Sequence, residues 1–123
     1  MTTIAIIDDE TPMREMMDAV LRRAGYETIT ACNGIDAAAK LAGQAVDAVI
    51  TDIFMPEGDG IEVIRNLRMT APDMPVIAVS GGGTRIQSDY LKAARMLGAR
   101  DVLTKPFLPQ KLVDTVRAAV SDA

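Results

Sequence analysis

The sequence predicts an α/β domain built on a parallel sheet, and three observations predict it. Strand and helix signals alternate strictly, five of each, with few residues left between them. The strand segments are continuous runs rich in Ile and Val, the pattern of strands covered on both faces. Four of those runs stop at residues capable of phosphate or metal chemistry. The run 4–7 stops at Asp8, Asp9 and Glu10; 46–51 at Asp52; 76–79 at Ser80; and 102–104 at Lys105, followed by Pro106. In an open parallel sheet the C-terminal strand ends share one edge, and ligands bind outside it.

The elements follow in order. Residues 3–8 form the first strand. Thr11 and Pro12 read as the N-cap and first helical position of the first helix. Met13, Met16, Met17, Val20, Leu21 and Ala24 recur there at helical spacing, and Gly25 ends it. The three methionines read as core rather than as a binding patch. Residues 26–31 are the second strand. Asn33 caps an alanine-rich helix closed by Gly43, and 46–51 is a buried strand. Gly58-Asp59-Gly60 reads as a turn before a helix from Ile61 to about Thr70, which Ala71-Pro72-Asp73 breaks. Residues 74–80 are the fourth strand, followed by Gly81, Gly82 and Gly83. Helical periodicity resumes near Ser88 and stops at Gly98. Residues 100–104 are the fifth strand, and a last helix runs from Pro109 to about Ser121.

With 123 residues the chain has the length of one domain, and 1–123 reads as one unit with no output domain attached. Its 49% hydrophobic content supports a real core, filled by aliphatics and eight methionines because aromatics are only 3%. The single cysteine, Cys32, permits no internal disulfide and fits a reducing compartment. Neither a signal-peptide pattern nor an apolar run near 18 residues is present, so a cytoplasmic protein that does not contact membrane is expected. A formal charge of −4 argues against nucleic acid as a direct partner.

The chain has no histidine, which removes His-based triads, His-ligated metals and an internal phosphohistidine. One cysteine removes thiolate zinc sites as well. What remains is hard-oxygen chemistry plus lysine. Two carboxylates ~4 Å apart repel by about 4 kcal/mol at an effective dielectric near 20. Asp8, Asp9 and Asp52 in one crevice would therefore hold either a proton or a cation, and an oxygen-only ligand set points to Mg²⁺. Asp52 has the chemistry of a nucleophile toward phosphorus. Lys105 and Ser80 have that of groups that bind phosphoryl oxygens. Each residue alone has a plainer reading: an acidic turn capping a helix, a surface lysine, a loop serine. Their agreement across four strand ends is what favours a site.

These residues carry a family resemblance over essentially the whole chain. Asp8-Asp9, Asp52 followed by Met55-Pro56 and Gly58-Asp59-Gly60, Ser80, Gly98-Ala99 and Lys105-Pro106-Phe107 stand at the spacing of response-regulator receiver domains, which the sequence resembles. The resemblance implies a flavodoxin-like (βα)5 fold of strand order 2-1-3-4-5. It implies Asp52 as phosphoacceptor, with Asp9, Asp52 and the backbone carbonyl of Phe54 as Mg²⁺ ligands and Asp8 assisting through water. It implies that Ser80 and Lys105 read the phosphoryl group and that the Lys105-Pro106 peptide is cis. The phosphate would come from a histidine kinase or histidine phosphotransfer protein, and a downstream protein would read the result. Such a protein is no general enzyme, since it catalyses only its own phosphorylation and dephosphorylation. A monomer or weak dimer is expected.

The chain also departs from the family pattern. Val102 stands where a Tyr or Phe is usual, so the backbone of the Gly81–Thr84 loop is expected to carry more of the switch. Tyr90, Lys92 and Arg95 are the candidate partner contacts on the fourth helix. Phe54 and Gly82 occupy positions that tune phosphate lifetime in the family, with opposing expected effects. The alternative is a pseudo-receiver that binds partners without taking phosphate, against which the intact Asp9, Asp52, Ser80 and Lys105 argue. A Mg²⁺ phosphatase with an aspartyl nucleophile would want a second Asp where Phe54 stands. A flavin carrier would want a Ser/Thr-rich loop after the first strand.

Overall fold

A computed structural model describes residues 1–55, 60–81 and 85–121. The elements alternate as predicted: β1 (Thr3–Ile7), α1 (Thr11–Arg23), β2 (Glu27–Ala31), α2 (Gly34–Leu41), β3 (Ala48–Asp52), α3 (Gly60–Thr70), β4 (Val76–Ser80), α4 (Arg85–Met96), β5 (Asp101–Thr104) and α5 (Pro109–Ser121). All four strand pairs are parallel, in the order β2-β1-β3-β4-β5.

The period of two along each strand divides the core. Ile4 and Ile6 of β1, Ile50 of β3 and Ile77 of β4 face one side, packed on Met17 and Leu21 of α1 and Leu112, Val116 and Ala119 of α5. Ala5 and Ile7, Val49, Val76 and Ala78 face the other, packed on Ala37 of α2, Val63 and Ile64 of α3 and Ala94 of α4. β3 and β4 are buried at every position, which is why their sequences are continuous apolar runs. Met17 is fully buried, with Met13 and Met16 packed beside it, so the methionine cluster is core.

Several boundaries differ from the sequence reading. Thr11 is not the N-cap of α1: it is already helical, and Glu10 is the cap residue, without a side-chain capping bond. The second, third and fourth strands are trimmed at their starts, because Tyr26, Val46 and Met74 lie outside the ladder and pack against the core. α4 begins at Arg85, ahead of the apolar periodicity at Ser88. Gly60 is the first residue of α3 rather than part of a turn before it. Asn33 does cap α2, accepting the Asp36 amide at 2.8 Å. Gly25 and Gly98 adopt φ of 99° and 95° just past their helices, a conformation that favours glycine.

The strand order reverses direction between β1 and β3, so these two strands flank the topological switch point. Asp8 follows β1 and Asp52 ends β3. The fold thus places two carboxylates where open α/β sheets bind ligands. A separate cleft of about 830 Å³ between α2 and α3 is lined by residues such as Ala38, Leu41, Val63 and Leu67 and includes none of the strand-end carboxylates.

Candidate functional site

The β1 and β3 ends bring Asp8, Asp9, Glu10 and Asp52 together, with one carboxylate oxygen from each lying within 4.8 Å of the others. Asp8 and Asp52 are buried, whereas Asp9 and Glu10 are exposed. The site is therefore a pocket with a charged floor and an acidic rim.

Local backbone geometry fixes the floor. Asp8 Oδ1 accepts the Glu10 amide at 2.9 Å, an Asx turn that bends the chain from β1 into α1. Arg14 Nη1 donates to the Asp8 carbonyl oxygen at 2.8 Å and locks the same bend from the helix side. Asp52 Oδ1 accepts the Phe54 amide at 3.1 Å, which holds the carboxylate at the strand end. Thus the amide of Phe54 touches Asp52, while its side chain is largely exposed.

β5 supplies the cation. The Lys105 amide donates to the Ser80 carbonyl oxygen at 2.7 Å, extending the β4–β5 ladder past its last pair, Ser80 with Thr104. The Lys105-Pro106 peptide is cis. Lys105 Nζ lies 3.2 Å from Asp52 Oδ2, 3.3 Å from Asp8 Oδ2 and 3.1 Å from Glu10 Oε1. Ser80 is buried at the neighbouring strand end. Four residues that the sequence leaves up to 97 positions apart, Asp8, Asp9, Asp52 and Lys105, thereby surround one small volume.

The electrostatics are unbalanced. Burial pushes Asp8 and Asp52 above the usual aspartate range, offset in part by the Glu10 and Phe54 amides and by Lys105. Burial alone would lower Lys105, but the Asp52 and Asp8 carboxylates overcome it and hold the ammonium well above the ordinary lysine range. Asp8 Oδ2 is buried and ion-paired to Lys105 without any hydrogen bond. An all-oxygen donor set with a buried carboxylate oxygen that lacks a hydrogen bond, and with one ammonium facing four acids among the described residues, fits a hard divalent cation.

This imbalance has a measurable consequence. A raised aspartate binds its proton more tightly in the folded than in the unfolded chain. Its contribution therefore favours folding at low pH and is lost as pH rises from the ordinary value of 3.8 through the raised folded value. In EDTA, Asp8→Asn is expected to melt higher than the parent protein, by an amount that grows between pH 4 and 7. Paired thermal melts check it, and a difference independent of pH would refute the assignment.

Of the other residues singled out by sequence, Lys92 and Arg95 are exposed on α4, Gly81 is exposed and Val102 is half-buried on β5. Val102 lines a shallow surface hollow with Phe107, Leu108 and Lys111. Gly82 and the side chain of Tyr90 lie outside the described residues. Two contributors to the site were named in the sequence without the role the structure gives them. Glu10 was named with Asp8 and Asp9 at the end of the first strand but given no role of its own, yet its side chain reaches Lys105. Gly60 was read as a turn glycine, yet its missing side chain lets α3 approach the end of β3. The reach of Glu10 depends on Lys105, which is distant in sequence, and nothing local shows how closely Gly60 approaches β3.

A family model described as the response regulator receiver domain matches residues 4–117. The chain belongs to the response regulator receiver domain family. It is a receiver domain of two-component signal transduction. It is 36% identical over 120 residues to the phosphate regulon transcriptional regulatory protein PhoB of Pseudomonas aeruginosa, covering 96% of this chain and 51% of PhoB. It is 35% identical to the response regulator MprA of a Mycobacterium species, covering 94% of this chain and 49% of MprA. This chain thus spans about half the length of the curated relatives it matches. Among solved structures, the chemotaxis protein CheY4 of Vibrio cholerae aligns with a TM-score of 0.87 at 29% identity, covering 97% of this receiver domain and 98% of CheY4. Among the described residues no helix is long and apolar enough to cross a membrane.

Proposed function

We propose that this receiver domain accepts a phosphoryl group on Asp52 from the phosphohistidine of a partner kinase or phosphotransfer protein, with Mg²⁺ as cofactor. The observation that carries the reading is the placement of Asp52: a buried carboxylate at the switch-point strand end, 3.2 Å from an ammonium and surrounded by three further acids.

Asp9, Asp52 and the Phe54 carbonyl would hold the metal, with Asp8 assisting through water. When bound, Mg²⁺ would neutralise charge on the transferring oxygens. An Asp52 carboxylate oxygen attacks phosphorus and forms the O–P bond of an acyl phosphate. The P–N bond of the donor breaks, and its electron pair returns to the imidazole. Lys105 Nζ, already beside Asp52 Oδ2, passes to a phosphoryl oxygen, and the Ser80 hydroxyl donates to another. Hydrolysis reverses the charge: water attacks phosphorus, the O–P bond breaks and orthophosphate leaves with the Asp52 carboxylate restored.

The phosphoryl group brings up to about two negative charges and three acceptor oxygens into the pocket. Pulling Ser80 and Lys105 toward it biases the segment around Gly81 and Gly82, α4 with Tyr90, Lys92 and Arg95, and β5 with Val102, between two packings. A downstream protein reads that surface.

The deciding experiment incubates the protein with a small phosphodonor in Mg²⁺ and in EDTA. A mass gain of one phosphoryl group in Mg²⁺, lost in EDTA and released by hydroxylamine, is expected. No gain, under conditions that phosphorylate a control receiver, would instead favour an interaction domain that takes no phosphate.

A further inference from the structure

Glu10 occupies the N-cap position of α1 but makes no side-chain capping bond. The residues that cap a helix from that position are the short acceptors Asp, Asn, Ser and Thr, so the longer glutamate side chain is free to reach elsewhere. Here the side chain crosses the pocket mouth to Lys105 Nζ at 3.1 Å, a residue 95 positions away. Lys105 is only 13% exposed, whereas Glu10 is 64% exposed, so Glu10 meets the ammonium from the solvent side. Asp8 and Asp52 meet it from within. Arg14, the other cation near this bend, is committed to the Asp8 carbonyl and the Thr11 hydroxyl and does not neutralise Glu10.

We propose that Glu10 is a positioning residue for phosphoryl transfer, holding the Lys105 ammonium at the pocket mouth until the incoming phosphoryl oxygens displace it. The inference rests on the reading of Asp52 as phosphoacceptor. The ammonium donates hydrogen bonds to Glu10 and Asp52 and is paired with Asp8 by charge alone. A phosphoryl group that draws Lys105 toward itself weakens its hold on these partners. Asp8 is a buried part of the floor and Asp52 is the residue being modified. Glu10, exposed and on the donor's side, is the partner that can be replaced by solvent at least cost. Glu10 therefore sets two properties of the uptake step. It keeps Lys105 in place while the site is empty, and its charge opposes an anionic donor at the entrance. The more negative the donor, the larger that opposition.

The test compares Glu10→Gln with the parent protein, using the more highly charged acetyl phosphate and the less charged phosphoramidate at saturating Mg²⁺. Glutamine keeps the shape and the acceptor oxygen and removes the charge. Phosphorylation by acetyl phosphate is expected to accelerate roughly two- to fivefold, the scale of one exposed ion pair. The phosphoramidate rate should change less, and the salt dependence of the acetyl phosphate rate should flatten. Mg²⁺ affinity, read by amide NMR titration, should stay within about twofold. Equal changes with both donors, or none, would overturn the proposal and leave Glu10 a solvated acid. A loss of Mg²⁺ affinity of tenfold or more would overturn it too, by making Glu10 a metal ligand. If the parent protein takes phosphate from neither donor, the reading of Asp52 falls and this inference with it. If the parent is phosphorylated and the variant ratio is unchanged, only the role of Glu10 falls.

Discussion

Asp52→Asn is expected to abolish phosphoryl uptake and, in metal-free buffer, to raise the stability of the fold. The first half follows from chemistry. An amide oxygen is a poor nucleophile toward phosphorus, and no second carboxylate stands at the β3 end, where Ile53 and Phe54 follow Asp52 directly. The second half follows from burial. Asp52 is 4% exposed, its carboxyl lies above the usual aspartate range, and Asp8, Asp9 and Glu10 crowd it. Lys105 would keep two carboxylates, Asp8 and Glu10, after the substitution, so no unpaired buried ammonium is left behind. Replacing a buried charge that costs more in desolvation than its pairing returns stabilises by on the order of 1–3 kcal/mol. The melting temperature should rise by several degrees, at roughly 2–8 °C per kcal/mol. Added Mg²⁺ should narrow the gap, because it stabilises the parent protein and binds the variant more weakly. Mass spectrometry with a phosphodonor and thermal melts with and without Mg²⁺ check both halves. A variant that is unphosphorylated but also less stable without metal would mean that Asp52 serves the fold as well as the reaction.

That trade between stability and chemistry explains how the site could be read from sequence. Isolated acids on a surface carry little information. Acids placed directly after fully apolar strands do, because a strand end at the switch point of a sheet is where burial would otherwise exclude them. Asp8, Asp52, Ser80 and Lys105 were legible for this reason, and the parallel order of the sheet then brought them together. Element ends were less legible. Tyr26, Val46 and Met74 look like strand residues because they are apolar, yet apolarity reports packing against the core rather than hydrogen bonding to a neighbour strand. The start of α4 was missed because Arg85 precedes the apolar repeat. Glu10 was misjudged for a different reason. An acid before a helix has a sufficient local explanation as a cap, and only the long-range position of Lys105 shows that its side chain is used elsewhere.

Gly60→Ala tests a packing role that the sequence did not reveal. Alanine at a helix start normally improves on glycine by up to about 1 kcal/mol. Gly60 needs no unusual φ, since the described positive-φ glycines are Gly25, Gly43 and Gly98. Conformation alone would therefore make the substitution stabilising. Packing reverses the sign. A Cβ on Gly60 would collide with the Asp52 carbonyl oxygen and lie 2.5 Å from Ile53 Cα and 2.9 Å from the Asp52 carbonyl carbon. All three obstacles are backbone atoms of the strand end that carries Asp52, so no side-chain rotation relieves them. Either α3 lifts from the sheet, exposing Val63 and Ile64, or the end of β3 moves. We expect a loss of about 3 kcal/mol or more, a large share of the roughly 5–15 kcal/mol that stabilises a domain. Gly25→Ala is the control. It has nothing within 4 Å of its Cβ and a φ of +99°, so its cost should be only the left-handed strain of about 1–2 kcal/mol. Denaturant unfolding of both variants, with the phosphorylation rate of whatever fraction of Gly60→Ala folds, separates the two glycine roles. If Gly60→Ala were as stable as the parent and were phosphorylated at the same rate, the close approach of α3 to Asp52 would have no part in holding that carboxylate in place.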